Sequence, residues 1–329
     1  MTLKPAVVAL LLLCPISNFG QESPQASQPM VETVAPDIPG VVAKGTKVEL
    51  IKDGFKSTEG PVGLPDGSLI FTEIAAGRIT KIDKNGNVST FVEDKNGPNA
   101  VTMDRKGRLI GAETVPGHTG VAVIYPKDQA KYLTDNFEGK PYSRPNDLIA
   151  DKKGGVYFTD PGAGGQTAAG SLPPVLPPNV YYVSPSGKVT KVVEGVERPN
   201  GIALSPDEKV LYLNNTYGEY LLSFDIGRDG MLSNRRNFAK YENVRKDEKG
   251  INSGADGLAV DSEGRVYVCT LKSVQVFSQR GQLLGMIPMP RQPQNLAFGG
   301  PDKKSLYVVA FGGVFKISML AQGYKGRPK

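Results

Sequence analysis

Six oxygen-bearing side chains each stand at the start of a similar segment of this 329-residue chain, and we refer to them as the opener residues. They are Glu59, Asn99, Asn146, Asn200, Asp256 and Asn295. Asn and Asp are also common turn residues before a strand, but Glu59 does not fit that explanation. Carboxylate and amide oxygens without thiolate or imidazole favour a hard divalent cation. Ca²⁺ is the first expectation, with Zn²⁺, Mg²⁺ or Mn²⁺ as alternatives.

Each opener begins a repeat with the pattern of a β-hairpin. A polar residue is followed by small or apolar positions, a turn rich in Asp, Pro and Gly, and then a β-branched and aromatic run. The six segments are EGPVGLPDGSLIFTE, NAVTMDRKGRLIGAE, NDLIADKKGGVYFTD, NGIALSPDEKVLYLNN, DGLAVDSEGRVYVCT and NLAFGGPDKKSLYVVA. Two further strand-like runs follow most copies, so that each unit supplies four short strands.

Six units of four strands predict an all-β fold, a six-bladed β-propeller of antiparallel sheets. The last unit has only three strands, whereas a spare strand at 46–52, TKVELIK, precedes the first unit. The spare strand is therefore expected to complete the last blade and close the ring. A pair of β-sandwiches is the structural alternative, and the number of repeats argues against it.

The first strand of each propeller blade lines the central channel, so the six openers should converge at one end of that channel. The residue about 14 positions after an opener should return to the same end; in the first four repeats these residues are Glu73, Glu113, Asp160 and Asn214. Carboxylates that converge without a cation would be buried at considerable cost in free energy. A divalent ion at the channel mouth resolves that cost.

Composition and charge exclude several classes of protein. The net charge is +6 with no basic stripe interleaved with aromatic residues, so a nucleic-acid partner is not expected. No apolar run is long enough to span a bilayer. We expect a monomer or weak dimer that acts on a small molecule.

The amino terminus has the layout of a secretory signal peptide over residues 1–20. Its removal leaves Cys269 as the one cysteine, expected to be a buried, inert thiol. We expect an exported protein, periplasmic or secreted. A Pro, Gln and Ser-rich linker is predicted over 21–45, the propeller over 46–320 and a tail over 321–329.

Other catalytic patterns are absent from the sequence. No G-x-S-x-G elbow, phosphate-binding loop or dinucleotide fingerprint occurs. His118 is the one histidine, in the loop after the second strand of blade two, and is either a solvated loop residue or a proton shuttle. The insertion at 161–179 is either a flexible surface loop or a lid over the channel mouth.

The ordered motifs resemble the gluconolactonase, senescence-marker and luciferin-regenerating-enzyme-like family. The residues that carry the resemblance are Glu59-Gly60-Pro61, Arg144-Pro145-Asn146-Asp147, Arg198-Pro199-Asn200-Gly201, Gly254-Ala255-Asp256-Gly257 and the ending QNLAFGGPDKKSLYVVA. The resemblance implies that Glu59, Asn200 and Asp256 hold one divalent ion, with Asn146 a fourth ligand or a substrate contact. It also implies a substrate contact for Arg144, while Asn99 and Glu113 line the neighbouring position by repeat logic alone.

The implied activity is hydrolysis of a small lactone, such as a sugar lactone, by a metal-dependent enzyme. In such a mechanism Asp256 would act as the general base towards water. His118 is expected beside the substrate because its loop lies on the same face as the openers, although the stretch ETVPGHTGVAVIY around it departs from the family pattern. Two alternatives remain at this stage: a calcium-dependent aryl-ester or phosphotriester hydrolase like the paraoxonases, and a non-catalytic exported propeller that binds carbohydrate or protein.

Overall fold

The computed structural model describes residues 32–93, 96–115, 117–162 and 176–327. Within these ranges the chain forms six four-stranded antiparallel sheets and two small hairpins. The helical segments are two single 3₁₀ turns, Ile74–Ala76 and Lys127–Gln129. No described helix has the length and apolar character needed to cross a bilayer.

The first three blades follow one another along the chain. Blade 1 contains β2 (Thr58–Gly63), β3 (Leu69–Glu73), β4 (Arg78–Ile82) and β5 (Val88–Glu93). Blade 2 contains β6 (Pro98–Met103), β7 (Leu109–Glu113), β8 (Gly120–Tyr125) and β9 (Lys131–Thr134). Blade 3 contains β12 (Leu148–Ala150), β13 (Val156–Asp160), β14 (Asn179–Val183) and β15 (Val189–Val193).

The last three blades repeat this order, except that the sixth takes its outer strand from the start of the chain. Blade 4 contains β16 (Pro199–Leu204), β17 (Val210–Asn215), β18 (Tyr220–Ile226) and β19 (Leu232–Lys240). Blade 5 contains β22 (Leu258–Val260), β23 (Val266–Cys269), β24 (Ser273–Phe277) and β25 (Leu283–Pro288). Blade 6 contains β26 (Asn295–Gly299), β27 (Ser305–Ala310), β28 (Gly313–Ser318) and β1 (Glu49–Lys52).

The ring closes as the sequence predicts. Strand β1 pairs antiparallel with β28, with Leu50 opposite Phe315. Each first strand contacts the first strands of the two neighbouring blades, so the six first strands surround a central channel. The predicted six-bladed propeller is confirmed.

Aspartate side chains shape the tight turns between the first and second strands. Asp104 Oδ1 accepts hydrogen bonds from the backbone N–H groups of Lys106 and Arg108, at 2.9 Å each. Asp151 and Asp261 make the same pair of bonds in blades 3 and 5. A short carboxylate that bonds to the backbone two and four residues on specifies this turn, which is why the repeats carry Asp there.

The hydrophobic core is divided among the interfaces between adjacent blades. Blades 2 and 3 share one cluster, in which Ile110 and Val121 of blade 2 pack with Leu148 and Phe158 of blade 3. Similar clusters lie between the other neighbouring blades. Each sheet is therefore buried on both faces, which requires the mostly apolar strands that the repeats supply.

Two hairpins lie outside the six predicted repeats. Strands β10 (Asn136–Phe137) and β11 (Lys140–Pro141) stand between blades 2 and 3. Strands β20 (Arg245–Asp247) and β21 (Gly250–Asn252) stand between blades 4 and 5. Each hairpin leads the chain back to the mouth of the channel a few residues before the opener of the next blade.

The described part of the predicted linker, residues 32–45, is packed against the propeller. Ile38, Val41 and Val42 are almost fully buried, in the same cluster as residues of blades 5 and 6. The predicted tail is also packed, because Gly323 forms a β-bridge with Asp261. A composition rich in Pro, Gln and Ser indicated a linker, but a few well-spaced apolar residues are enough to dock a segment.

Three sequence predictions fall on residues outside the described ranges. The signal peptide over 1–20 and the start of the linker lie before residue 32. Most of the predicted lid, 163–175, is also outside them.

Replacement of Ile38 by alanine tests whether this segment belongs to the folded core. We expect Ile38→Ala to lower the free energy of unfolding by about 2–5 kcal/mol, because its buried side chain would leave a cavity. Val34→Ala is the matched control, since Val34 is 43% exposed in the same segment. Chemical denaturation measures both variants, and equal small effects would contradict the packing described.

Candidate active site

In three blades the opener lies within a β-bulge of the first strand. The register shifts between Glu59 and Val62 in blade 1, between Pro98 and Val101 in blade 2 and between Pro199 and Ile202 in blade 4. A bulge breaks the alternation of side chains along a strand and re-aims one of them. Glu59, Asn99 and Asn200 are the residues that these bulges place at the channel mouth.

In blades 3 and 5 the opener lies two residues before the first strand. Asn146 N–H donates to Thr159 O at 2.8 Å, and Asp256 N–H donates to Cys269 O at 3.0 Å. Both openers are thus paired with the second strand of their own blade. These bonds fix the backbone of each opener although it stands outside the strand.

Hydrogen bonds between neighbouring blades connect the openers on one half of the mouth. Gly201 N–H donates to Asp256 O at 3.2 Å, and Gly257 N–H donates to Gln294 O at 2.7 Å. Asn295 Nδ2 then donates to Glu59 Oε2 at 3.0 Å. The segments that carry the predicted ligands Asn200, Asp256 and Glu59 are therefore connected through blades 4, 5, 6 and 1.

The other half of the mouth is connected in a similar way. Thr72 Oγ1 of blade 1 donates to Asn99 O at 2.8 Å, and Asn99 Nδ2 donates to Asn146 O at 3.1 Å. Asp147 Oδ2 accepts the Ile202 N–H of blade 4 at 3.3 Å. These bonds complete a ring around the mouth, and they use Asn99 as a bridge between blades 2 and 3.

Two glycines permit the close approach between blades. A Cβ atom added at Gly201 would lie 2.2 Å from Asp256 O, and one added at Gly257 would lie 2.1 Å from Asn295 Oδ1. Only glycine fits at these distances. The Asn-Gly and Asp-Gly pairs in the sequence are thus explained by packing between blades.

Asn200 presents a buried amide oxygen to the channel mouth. Its Nδ2 donates to Thr216 Oγ1 at 3.0 Å, and that hydroxyl donates to Ala255 O at 2.7 Å. Oδ1 is buried without a partner in the described part of the chain, and the residue is 6% exposed. Leaving such an acceptor unsatisfied costs about 1–3 kcal/mol. A cation ligated by this oxygen would remove the cost.

The carboxylates at the mouth repel one another. Burial raises the pKa of Asp256 well above its usual range, and the nearby carboxylates of Glu59 and Asp147 raise it further. Arg198 and Arg144 act in the opposite direction. The mouth thus concentrates negative charge that a bound cation would neutralise.

Arg144 is the cation that the structure buries beside these carboxylates. It is 9% exposed, and its pKa is lowered by burial and by Arg198, against the effect of Asp256 and Glu59. Asp160 fixes the backbone here, since its Oδ1 accepts the Arg144 N–H at 2.9 Å and its Oδ2 accepts the Ser143 N–H at 2.8 Å. A guanidinium carried by a backbone fixed in this way can donate to an oxygen atom of a substrate.

Glu113 and His118 lie in blade 2. Glu113 is almost fully buried, and its Oε2 accepts hydrogen bonds from Asn96 Nδ2 and from the Tyr132 hydroxyl. His118 is exposed, and its carbonyl accepts a second bond from Tyr132 at 3.2 Å. In these contacts Glu113 braces the loops of its own blade. A role in substrate binding for either residue stays a prediction.

The other returning residues also brace the loops. Glu73 accepts bonds from Lys56 N–H, Arg78 and Thr80, and Asn214 donates to Asp256 O while its Oδ1 accepts the Tyr241 hydroxyl. The repeat pattern predicts that these residues lie at the mouth, but it does not distinguish a residue that holds a loop in place from one that contacts the substrate. A polar residue at the end of a second strand gives the same signal in both cases.

Three residues at this site are outside the predicted set of ligands and substrate contacts. Asp147 adjoins Asn146, Arg198 is charged and close to Asp256, and Asn295 holds Glu59. Asn295 had a usable signal, because it opens the sixth repeat. The charge of Arg198 acts across blades, which a linear pattern does not reveal.

The donor set suits a hard cation. The described residues contain no group of three His, Cys, Asp or Glu side chains that could hold a metal ion. The candidate set instead combines two carboxylates, Glu59 and Asp256, with the amide oxygens of Asn146 and Asn200. This mixture of charged and neutral oxygen donors is typical of Ca²⁺ sites, and the unsatisfied Asn200 oxygen fits such an ion.

Known proteins share this sequence and fold. A gluconolactonase of Zymomonas mobilis is 27% identical over 304 residues, which cover 86% of this chain and 84% of that protein. The structure of a gluconolactonase from Xanthomonas campestris has a TM-score of 0.76 at 25% identity, and covers 93% of this chain and 100% of its own.

A third similarity concerns the fold alone. A calcium-binding protein, regucalcin, from Agrobacterium tumefaciens has a TM-score of 0.66 at 19% identity, and covers 85% of this chain and 98% of its own.

The family model for the SMP-30/gluconolactonase/LRE-like region matches residues 57–312. This range takes in the openers of all six blades and most of the chain. The resemblance seen in the sequence is therefore confirmed, and the chain belongs to the SMP-30/gluconolactonase/LRE-like family.

Proposed function

We propose that this protein hydrolyses the ester bond of a small lactone, such as a sugar lactone, to give the hydroxy acid. The observation that carries the proposal is the arrangement of Glu59, Asp256 and the unsatisfied Asn200 oxygen beside a buried arginine at the channel mouth. The gluconolactonases among the similar proteins support this substrate class.

We further propose a single divalent cation at this mouth, held by Glu59, Asn146, Asn200 and Asp256. The oxygen-only donor set favours Ca²⁺, and the calcium-binding regucalcin has the same fold. When bound, the cation would polarise the lactone carbonyl and stabilise the negative charge that develops on its oxygen.

Asp256 is positioned to act as a general base. The bonds from Gly201 N–H and Asn214 Nδ2 to its carbonyl oxygen fix its backbone, and the residue is partly exposed at the mouth. Its carboxylate would take a proton from the water that attacks the lactone carbonyl carbon. The ring C–O bond then breaks, and the departing ring oxygen takes up a proton to become the new hydroxyl.

Arg144 and the amide side chains would orient the lactone. The guanidinium of Arg144 can donate to a ring hydroxyl or to the carbonyl oxygen, and its burial excludes competing water. Asn295 acts one step away from the substrate, because its amide holds the Glu59 carboxylate in place.

The purified protein should hydrolyse an aldonolactone faster than an alkyl lactone, phenyl acetate or a phosphotriester. The polar mouth offers several donors to ring hydroxyls, which the other three substrates lack. A pH-indicator assay of each compound at equal concentration measures this order. Preference for the aryl ester or phosphotriester would reassign the chain to a different esterase activity, and no turnover of any compound would favour a binding role.

Substitution of Asp256 by asparagine should abolish turnover of gluconolactone while leaving the fold intact. Removal of a general base costs about 10²–10⁴-fold in rate, and the amide retains the size of the carboxylate. Asp128→Asn is the control, because Asp128 is exposed on the 3₁₀ turn before β9. Lactonase activity and thermal melting are measured for both variants, and undiminished activity of Asp256→Asn would remove this residue from the mechanism.

Chelation should remove the activity, and Ca²⁺, Zn²⁺ or Mn²⁺ added back singly should identify the ions that restore it. Isothermal titration of the chelated protein with each ion measures binding independently of turnover. Asn200→Ala should weaken the binding by at least about tenfold, equivalent to about 1.4 kcal/mol, because a ligand oxygen is lost. Asn237→Ala, on the exposed face of β19, should bind as the unsubstituted protein does. Full activity after exhaustive chelation would overturn the metal assignment.

A further inference from the structure

A cavity lies at the end of the channel opposite the openers, and we call it the tail cavity. Its volume is about 510 Å³. Turns between the first and second strands of blades 1, 2, 3, 4 and 6 form its wall, together with the C-terminal segment. Since each first strand runs from an opener to one of these turns, the tail cavity is separate from the proposed active site.

The C-terminal segment crosses this end of the channel by way of three blades. Gly323 N–H donates to Lys303 O of blade 6 at 2.8 Å, and Gly323 also forms a bridge with Asp261 of blade 5. Arg327 then reaches blade 4, where Nη1 donates to Leu204 O at 3.1 Å and Nη2 to Ser205 O at 3.0 Å. This path brings the Arg327 guanidinium into the wall of the tail cavity.

Arg327 is buried, and the carboxylate that pairs with it is Glu208, at long range. Arg327 is 7% exposed, and its Nε has no hydrogen-bond partner among the described residues. Oε1 of Glu208 forms a long ion pair with Nε at 3.9 Å, which is beyond hydrogen-bond distance. Its two Nη atoms bond to carbonyl groups, which provide no opposite charge. A buried cation in this state has capacity for an anion.

Lys303, beside Arg327, is a partly buried cation whose hydrogen bonds also go to backbone carbonyl groups. Its Nζ donates to the carbonyl oxygens of Tyr324, at 3.2 Å, and Arg327. Burial and the charge of Arg327 lower the pKa of Lys303 to about 8. The two side chains thus raise the positive potential at the wall of the cavity.

The cationic side chains of the tail cavity outnumber its carboxylates. Five cationic residues line it: Arg105, Lys152, Lys303, Lys325 and Arg327. The three carboxylates are Asp104, Asp151 and Glu208.

Each of these carboxylates already accepts hydrogen bonds from elsewhere. Asp104 pairs with Arg108 at 2.7 Å. Asp151 accepts bonds from backbone N–H groups and from the Tyr182 hydroxyl. Glu208 accepts the Lys152 N–H at 2.9 Å. The cavity is left with an excess of positive charge around a space large enough for a small molecule.

We propose that the tail cavity binds a small oxyanion, either a small organic carboxylate or inorganic phosphate. The ligand would bind against Arg327 in the wall and reach Arg105 and Lys152 on the turns of blades 2 and 3. The hydrogen bonds of Gly323 and Arg327 and the Gly323 β-bridge join the C-terminal segment to blades 4, 5 and 6. The ligand would join it to blades 2 and 3 as well. The site does not depend on the proposed lactonase activity.

Isothermal titration and thermal melting of the full chain test this proposal, with sodium gluconate and sodium phosphate as separate probes. Sodium chloride at equal ionic strength is the control for screening. We expect saturable binding of one anion per chain by at least one probe, together with a rise in melting temperature that chloride does not reproduce. The probe that binds more tightly identifies the ligand as carboxylate or phosphate.

Two neighbouring substitutions locate the binding. Arg105→Gln should weaken binding at least tenfold, because Arg105 is exposed and lines the cavity, whereas Lys106→Gln in the same turn lies outside it and should change the affinity less than twofold. Arg327→Gln should also weaken binding. If that variant unfolds, the Arg105 and Lys106 pair still decides the outcome.

Three results would overturn the proposal. They are no binding of either probe, equal affinities in Arg105→Gln and Lys106→Gln, and a melting shift that chloride reproduces. Equal affinities in the two variants would be seen if gluconate bound at the opener end of the channel, away from Arg105.

Discussion

Hydrogen bonds between neighbouring first strands hold the channel mouth together. Glu59, Asn146, Asp256 and Asn295 are paired with their own second strands. Bonds from openers or from the residues beside them reach the next blade, as in the contacts from Gly201 to Asp256 and from Asn295 to Glu59. The mouth is therefore built from backbone that is already committed to six sheets. Side chains mounted on such rigid elements need little rearrangement to meet a ligand.

This rigidity keeps like charges together at the mouth. The carboxylates of Glu59 and Asp147 oppose ionisation of Asp256, and the Asn200 oxygen is buried without a partner among the residues that the structure describes. A fold selected for stability alone would replace these groups with apolar ones. Arg144 and Arg198 offset part of the cost, and the propeller core, spread over six interfaces between blades, supplies the rest.

Repetition made the fold and the openers predictable from the sequence. A weak hairpin pattern becomes specific when it occurs six times at a regular spacing, and the missing strand of the last repeat matched the spare strand at 46–52. The opener positions followed from the same alignment. Sequence reasoning could not separate Glu113 as a loop brace from Glu113 as a substrate contact, because both need a polar residue at the end of β7.

Features outside the repeats were the least predictable. The hairpins at 136–141 and 245–252 interrupt the spacing, and the packed segments at 32–45 and 319–327 have compositions typical of linkers. Docking of such segments depends on single residues, such as Ile38 and Arg327, that find a site on a finished surface. Local pattern contains no information about that surface.

The pairing of β1 with β28 sets the order in which this protein can be completed during synthesis. The residues around Leu50 leave the ribosome early, but their partner strand around Phe315 is among the last to appear. Blades 1 to 5 contain all their own strands and can form sheets as the chain emerges, whereas the sixth blade must wait for the end of translation. Until that moment the outer edge of the early strand remains unpaired, and the circle of blades stays open.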